Sequence, residues 1–154
     1  MTMLFTSEYM SPIGCIKIIT DEESVVSVSF AENNKLSSSL PAVVENTLSQ
    51  LDEYFCGKRK SFDLPLNINT TPFRRKVFGS LLNIQYGETA SYKQIAEKIN
   101  NPRAVRAIGG ANNKNPIAII IPCHRVIGAD GSLVGYSGGI ERKIWLLRHE
   151  QKNK

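Results

Sequence analysis

The segment Ile121-Pro122-Cys123-His124-Arg125-Val126 places a thiol directly before an imidazole, where the apolar run Ile117 to Ile121 ends. A thiolate is the strongest nucleophile that a protein has at neutral pH, so Cys123 is a candidate for covalent chemistry. Adjacent side chains of an extended segment point to opposite sides, so we expect Cys123 and His124 to communicate through a water or a bend after Pro122. Taken alone, Cys123 could equally be a buried structural thiol.

Length and composition place the chain among globular proteins. Its 154 residues suffice for one domain or two small ones, which would bury roughly two thirds of the unfolded surface. No apolar run approaches the roughly 20 residues of a membrane span, and residues 1–10 lack the pattern of a signal peptide. Three cysteines without a C-x-x-C pair and two histidines argue against a disulfide framework or a zinc site. We therefore expect a cytoplasmic protein with reduced thiols, no metal, no cofactor and no membrane association.

The charge is distributed unevenly along the chain. Residues 1–66 carry five Lys and Arg against nine Asp and Glu, whereas residues 67–154 carry fourteen against five. The overall formal charge of +5 therefore separates into −4 and +9. A basic half of this kind favours a polyanion such as nucleic acid as a partner. A solvated basic face is the alternative that composition leaves open.

Hydrophobic periodicity predicts a small α/β arrangement in the first half. Alternating β-branched residues from Gly14 to Phe30, with the polar turn Asp21-Glu22-Glu23 between them, predict a β-hairpin. Apolar residues at 3.6-residue spacing predict a helix from Pro41 to Phe55, and Gly57 would end it. The segment Ser61 to Thr71 is predicted to be an extended linker.

The second half is predicted to be mainly helical. Helices are predicted from Phe73 to Leu82, from Ser91 to about residue 99, and from Ile140 to Glu150. Ser91 would begin the second of these, because Ser91 and Gln94 have the spacing of a capping box.

Another helix is predicted to begin at Asn101-Pro102, with the proline in its first position. This helix would bury Val105 and Ile108 and would point Arg103 and Arg106 outward. Two short helices joined by a tight turn, in a basic segment, are typical of a helix-turn-helix that contacts DNA.

Gly109 and Gly110 are unusual in a helix that follows Arg106. Each glycine costs about 1 kcal/mol relative to alanine there, so their use would be the close approach of a partner. A smooth face with one long cation suits a narrow groove. Close packing of this helix against its own protein is the alternative.

These motifs together closely resemble those of one family, the O6-alkylguanine-DNA alkyltransferases, also called methylated-DNA--protein-cysteine methyltransferases. The resemblance covers about residues 48–150. It is carried by Leu51-Asp52-Glu53-Tyr54-Phe55 with Gly57, Tyr86-Gly87-Glu88-Thr89, Ser91-Tyr92, Arg106 to Ala111, Asn115-Pro116, Ile121 to Val126, Gly135 to Gly139, Trp145-Leu146-Leu147 and His149-Glu150.

The resemblance implies an α/β protein of two domains and a stand-alone bacterial-type member of the family. Residues 1–66 would form a small ribonuclease-H-like α/β domain. Residues 67–154 would form a mainly helical, winged-helix-like domain that carries the helix-turn-helix and the active site. The metal-binding cysteine domain of the adaptive-response regulators is absent from the sequence, so a transcriptional role lacks support. We also expect the protein to be a monomer.

The family's reaction implies a role for each polar residue near the thiol. Cys123 would accept an alkyl group from O6 of guanine, or from O4 of thymine, in double-stranded DNA whose damaged base is flipped out. His124, bridged to the thiol by water, and Glu150 would act as the base. Asn115 would tie this network to the helix-turn-helix, and the Tyr92 hydroxyl would donate to N3 of the leaving guanine.

The resemblance also implies how the flipped base is bound. The backbone N–H of Ser137 would donate to O6, and Tyr136 would form a wall of the pocket. Main-chain carbonyls near Cys123 and Val126 would accept from the exocyclic amine of guanine.

On the DNA side, Arg106 would fill the space that the flipped base leaves in the stack. Ala107, Gly109 and Gly110 would give the helix a small surface that fits the minor groove.

Cys123 is expected to react only once, because S-methylcysteine is a thioether without a good leaving group. Departures from the family pattern, such as Ala118 where proline is frequent, remove no reacting atom but put the acceptance of bulky alkyl groups in doubt. Two other classes remain as alternatives: a lesion-binding protein of the alkyltransferase-like class, and a hydrolase with a Cys-His pair.

Overall fold

The computed structural model describes residues 2–133 and 135–154, which fall into two compact units, Met1–Ile68 and Asn69–Lys154. The sequence placed the boundary two residues earlier, between residues 66 and 67. Within the described ranges, every helix is too short or too polar to span a bilayer.

The first unit is built on a three-stranded antiparallel sheet in the order β1-β2-β3. Its strands are β1 (Phe5–Ser11), β2 (Gly14–Thr20) and β3 (Val25–Phe30), with Ile18 of β2 opposite Val28 of β3. The predicted hairpin is confirmed as β2 and β3. Strand β1 was not predicted, because its inward face includes Ser7 and so lacks a clear apolar alternation.

Helix α1 (Ala42–Phe55) packs across all three strands, and Val44, Leu51 and Tyr54 are fully buried. Gly57 follows the helix end with φ +77°, the left-handed conformation that glycine adopts without strain. The prediction of this helix is confirmed.

The predicted linker Ser61 to Thr71 is only partly a linker. The backbone N–H of Val25 donates to the Pro65 carbonyl and the N–H of Asn67 donates to the Val25 carbonyl, both at 2.8 Å. This segment therefore continues the sheet by a parallel bridge between Val25 and Leu66. Long-range pairing of this kind leaves no periodic signal in a short segment that contains proline.

The second unit is mainly helical, as predicted. It contains α2 (Pro72–Leu81), α3 (Tyr92–Lys98), α4 (Val105–Asn113) and α5 (Ile140–Lys152), of which the first three pack on one another. The capping box is confirmed, since Ser91 and Gln94 each accept a hydrogen bond from the other's backbone N–H. A short parallel pair, β4 (Ala90–Ser91) and β5 (Val126–Ile127), joins the start of α3 to the segment after Cys123.

The predicted start of the fourth helix at Asn101-Pro102 is wrong. Helix α4 begins at Val105, which is 39% exposed rather than buried, whereas Ile108 is buried as predicted. The reason is that Asn101 helps to end α3. Asn100 has φ +57°, and the Asn101 N–H donates to the Ala96 carbonyl at 2.9 Å, which is the Schellman ending of a helix. Arg103 therefore lies in the connection before α4 and not on its face.

Candidate active site

The segment that leads to Cys123 is a series of turns, whereas the sequence predicted an extended run. The Ile121 N–H donates to the Ile117 carbonyl at 3.0 Å, and Ile119 has φ +71°, an uncommon conformation for a β-branched residue. The Asn115 side chain holds both ends of the loop. Its Nδ2 donates to the Ile121 carbonyl at 2.8 Å, and its Oδ1 accepts from the Ile117 N–H at 3.0 Å.

After Pro122 the chain bends into a single 3-10 turn, Cys123–Arg125. In this turn the side chains of Cys123, His124 and Arg125 do not alternate between opposite sides, as they would in an extended strand. The bend after Pro122 was one of the two arrangements expected from the sequence. Cys123 and His124 are both buried, with 1% and 0% of their surface exposed.

The Cys123 thiol is protonated in the resting protein. Burial raises its pKa to about 11, while a hydrogen bond from Asn115, the charge of Lys143 and the backbone N–H groups of Cys123 and His124 act in the opposite direction. The site thus contains donors that stabilise a thiolate once it forms, and it needs a base to form one.

His124 is suited to be that base. Its Nε2 lies 2.7 Å from Oε2 of Glu150, and because the carboxylate only accepts, Nε2 carries the proton and Nδ1 has a lone pair. Nδ1 is buried and has no hydrogen-bond partner among the described residues. Burial lowers the pKa of His124, so the imidazole is neutral and can accept a proton at neutral pH.

Glu150 is fixed by a residue to which the sequence analysis gave no role. Arg125 donates from Nε to Oε1 at 2.8 Å and from Nη2 to Oε2 at 3.0 Å, and the Gly87 N–H approaches Oε1 at 3.3 Å. Burial by itself would raise the pKa of Glu150, but the hydrogen bond from His124 and the Arg125 guanidinium hold it well below its usual range. The carboxylate is therefore ionised and orients the imidazole.

Two tyrosines, Tyr92 and Tyr136, lie close enough to Cys123 to interact with its thiolate form electrostatically. Burial raises the pKa of both Tyr92 and Tyr136, and a negative charge on Cys123, once its thiolate forms, would raise both pKa values further. The Tyr136 hydroxyl is buried without a partner among the residues described. Gly135 has φ +70°, and a Cβ there would lie 3.4 Å from the Tyr92 hydroxyl, so the loop that carries the exposed Ser137 passes close to Tyr92.

The exposed face of α4 is smooth except for one cation. Arg106, Ala107 and Gly110 are exposed, and a Cβ at Gly110 would meet no atom within 4 Å. Gly109 is half-buried, and a Cβ there would lie 4.0 Å from the Tyr92 ring. Gly110 is thus open to a partner, and Gly109 borders the tyrosine.

Sequence reasoning missed Lys143 and Asn112 as well as Arg125. Lys143 is fully buried on α5, and its Nζ donates to the Val126 carbonyl at 2.5 Å. A signal for it existed, since Lys143, Leu146 and Glu150 have the spacing of one helix face and form the buried face of α5. Asn112 is buried on α4, and nothing local in its sequence marks it.

Two family models account for almost the whole chain. The 6-O-methylguanine DNA methyltransferase DNA binding domain matches residues 72–152, and the ribonuclease-like domain of the same proteins matches residues 4–68. The chain belongs to the 6-O-methylguanine DNA methyltransferase family. The family match therefore extends to residue 4, whereas the sequence motifs supported it only from about residue 48.

Individual members of the 6-O-methylguanine DNA methyltransferase family are similar over their full length. The methylated-DNA--protein-cysteine methyltransferase of Methanosarcina acetivorans is 45% identical over 153 residues, covering 96% of this chain and 98% of the relative. The crystal structure of the Mycobacterium tuberculosis O6-methylguanine methyltransferase has a TM-score of 0.90 at 40% identity, covering 99% of this chain and 95% of that one. The structure of the M. tuberculosis OGT in complex with DNA has a TM-score of 0.87 at 42% identity, covering 95% and 92%.

Proposed function

We propose that this protein repairs DNA by transferring a methyl or other alkyl group from O6 of guanine, or O4 of thymine, to Sγ of Cys123. It would act as a methylated-DNA--protein-cysteine S-methyltransferase that reacts once. The observation that carries the proposal is the buried pair of His124 and Glu150 directly after the buried Cys123. In it the imidazole is neutral, its Nε2 is bound to Glu150 at 2.7 Å, and its Nδ1 is left to accept a proton.

The proposed step forms one bond and breaks one. Sγ of Cys123 attacks the alkyl carbon, the S–C bond forms, and the bond from that carbon to O6 breaks. The thiol proton passes through a bridging water to Nδ1 of His124. The Tyr92 hydroxyl and the Ser137 N–H would donate to N3 and O6 as charge develops, and guanine finally takes up a proton. Thiol and alkylguanine thus become thioether and guanine without an oxidant or reductant.

The proposed partner is double-stranded DNA, bound through its minor groove with the damaged base flipped into the pocket. The small exposed face of α4 at Ala107 and Gly110 supports a close approach to a narrow groove, and the exposed Arg106 could fill the vacated stack. The buried Tyr136 would form a wall of the pocket, and the Cys123 and Val126 carbonyls would accept from the exocyclic amine.

The proposal includes a monomer that works in the cytoplasm. Each proposed role falls on a residue of one chain. The three cysteines are free thiols, which suits a reducing compartment.

The decisive experiment is intact-mass spectrometry after incubation with a duplex that contains O6-methylguanine. We expect the wild-type protein to gain one methyl group on Cys123, and Cys123→Ala to bind the duplex without a mass change. Cys56→Ala is the matched control, because Cys56 is an exposed free thiol and should behave like the wild type. An unchanged wild-type mass with intact lesions would indicate a lesion-binding protein instead.

Excess substrate provides the second arm of this test. Because a thioether has no good leaving group, product should stop at one methyl per protein molecule. Continued turnover, or hydrolysis of an ester without DNA, would contradict a single-use alkyl acceptor.

A further inference from the structure

We infer that Asn112 is a positioning residue for alkyl transfer, whose side-chain amide holds the Cys123 carbonyl and the Tyr92 oxygen and so sets the Tyr92 hydroxyl as a donor to the base. The inference rests on the proposed function and deepens it. It concerns a residue outside the motifs that identify the family, on the buried side of the helix that carries Arg106.

The orientation of the Asn112 amide is fixed by its partner. Nδ2 lies 3.2 Å from the main-chain oxygen of Cys123, and a carbonyl oxygen can only accept. The amide therefore presents its N–H groups to Cys123 and cannot be reversed. Asn112 is 1% exposed, so no solvent competes for this hydrogen bond.

The same side chain also donates to Tyr92. Tyr92 lies against this helix, since a Cβ at Gly109, one turn before Asn112, would be 4.0 Å from its ring. Because Oδ1 of Asn112 has no partner among the described residues, a hydrogen bond between the two side chains runs from the amide N–H to the phenol oxygen. Such a bond opposes the effect of burial on the pKa of Tyr92. A phenol has one proton. When its oxygen accepts from Asn112, the proton is directed to another acceptor, and in the proposed complex that acceptor is N3 of guanine.

The remaining polar atom of the amide has no partner within the protein that is described. Oδ1 of Asn112 is buried and has no hydrogen-bond partner among the described residues. A buried amide oxygen without a donor is unfavourable, so Oδ1 is a candidate contact for a polar ligand. Asn112 thus has one unused acceptor next to the carbonyl that would receive the exocyclic amine of guanine.

The position of Asn112 on α4 also connects it to the proposed DNA contact. Arg106 is exposed on α4 and Asn112 is buried on it, so one rigid helix connects the proposed DNA contact to the Cys123 carbonyl and to Tyr92. Seating the helix on DNA would therefore also align the pocket.

The test compares two substrates that differ in a single atom. Second-order rate constants are measured on duplexes with O6-methylguanine or its 3-deaza analogue, in which a C–H replaces N3. A hydrogen bond to a nitrogen that gains charge should favour the guanine substrate by about 10- to 100-fold in the wild type. For Asn112→Leu we expect this ratio to fall towards one.

The control is Asn83→Leu, since Asn83 is an exposed asparagine after helix α2. It should keep the wild-type ratio. Asn112→Ser, which keeps a small polar side chain but cannot reach both partners, carries the same expectation as the leucine variant if the leucine disturbs packing. Circular dichroism confirms that each variant is folded.

The possible outcomes separate the two proposals. If Asn112→Leu and Asn112→Ser slow both substrates equally, Asn112 is merely structural and the inference is overturned, and a wild-type ratio near one overturns it too. If the wild type alkylates Cys123 with neither substrate, it is the proposed function that fails.

Discussion

Cys123 combines two properties that are usually opposed in a nucleophile. It is buried and protonated at rest, yet backbone N–H groups, Asn115 and the Lys143 charge are arranged around the sulfur to stabilise its anion. Reactivity therefore depends on removal of the proton by His124 when substrate is bound, and not on a thiolate that is always present. This resting state suits an alkyl acceptor that can be used only once, because a neutral buried thiol is protected from adventitious alkylation and oxidation.

The resting protonation of Cys123 predicts a loss of stability at high pH. Its folded pKa of about 11 exceeds the reference value of 9.0, so this contribution is fully present below pH 9 and is lost as the pH rises to 11. The loss should be on the order of 2–3 kcal/mol. Urea unfolding at the two pH values measures it. Cys123→Ala should lack this share of the loss, whereas Cys56→Ala should retain it; equal pH dependence in all three proteins would contradict the assignment.

Glu150→Gln should harm stability and catalysis together. The substitution leaves the buried Arg125 guanidinium without its carboxylate, which costs about 3–5 kcal/mol, and it weakens the orientation of His124. Methyl transfer should slow by about 100-fold or more, because the imidazole loses its ionised partner. Glu141→Gln, in the first turn of the same helix, is the control and should change neither the unfolding free energy nor the rate. A Glu150→Gln protein with wild-type rates would remove the carboxylate from the mechanism.

At the scale of elements, α3 and α4 show where local sequence rules succeed and where they fail. The Ser91 capping box was predictable because both partners lie within one turn. The start of α4 was not, because Asn101 also fits the Schellman ending of α3, and the two uses cannot be separated by local pattern. The connection between the helices is consequently longer than predicted.

Arg106→Ala should separate duplex repair from transfer itself. Arg106 is exposed on α4, so its loss should slow reaction with duplex by roughly 10-fold, the effect expected when part of the cost of unstacking is no longer offset. Transfer from free O6-benzylguanine needs no flipping and should be nearly unchanged. Arg103→Ala, in the connection before α4, is the matched control. Equal losses on duplex and free base would show that Arg106 does not fill the stack.

Whether an interaction could be predicted depends mainly on how far apart its residues lie along the chain. Cys123 and His124 could be identified because they are neighbours, and Glu150 because a motif carried it, whereas the bend after Pro122 was one of two arrangements that the sequence left open. Asn112 could not be identified, since it acts on a main-chain carbonyl 11 residues away. Lys143 acts on a carbonyl 17 residues away, and only its place on the helix face of Leu146 and Glu150 could have marked it. Strand β1 was missed for another reason, since its inward face is partly polar.

For the whole molecule, charge is divided between the two units. The second unit carries the +9 and the first the −4, although Arg125 and Lys143 of the second are buried and serve the site. The exposed cations of the second unit are thus available to phosphates, and the acidic first unit is unsuited to them.

DNA affinity should therefore depend strongly on salt. Fluorescence anisotropy with Cys123→Ala, which cannot react, should show the binding constant falling steeply between about 50 and 200 mM salt. Arg106→Ala should reduce the slope of log K against log salt by no more than about one. A binding constant that is independent of salt would show that the basic unit does not meet the phosphates.

The short pairing of β4 with β5 has a practical meaning for redesign. Ala90 lies opposite Val126 and Ser91 opposite Ile127 in this parallel pair, so the residue before Tyr92 is held beside the residues after the reactive turn. An insertion in the α3–α4 connection would leave this pairing intact. An insertion between Ser91 and Tyr92 would instead move the Tyr92 hydroxyl away from its position near the Cys123 sulfur. Insertions meant to broaden the range of accepted lesions therefore belong in the loops around the β4–β5 pair and not within it.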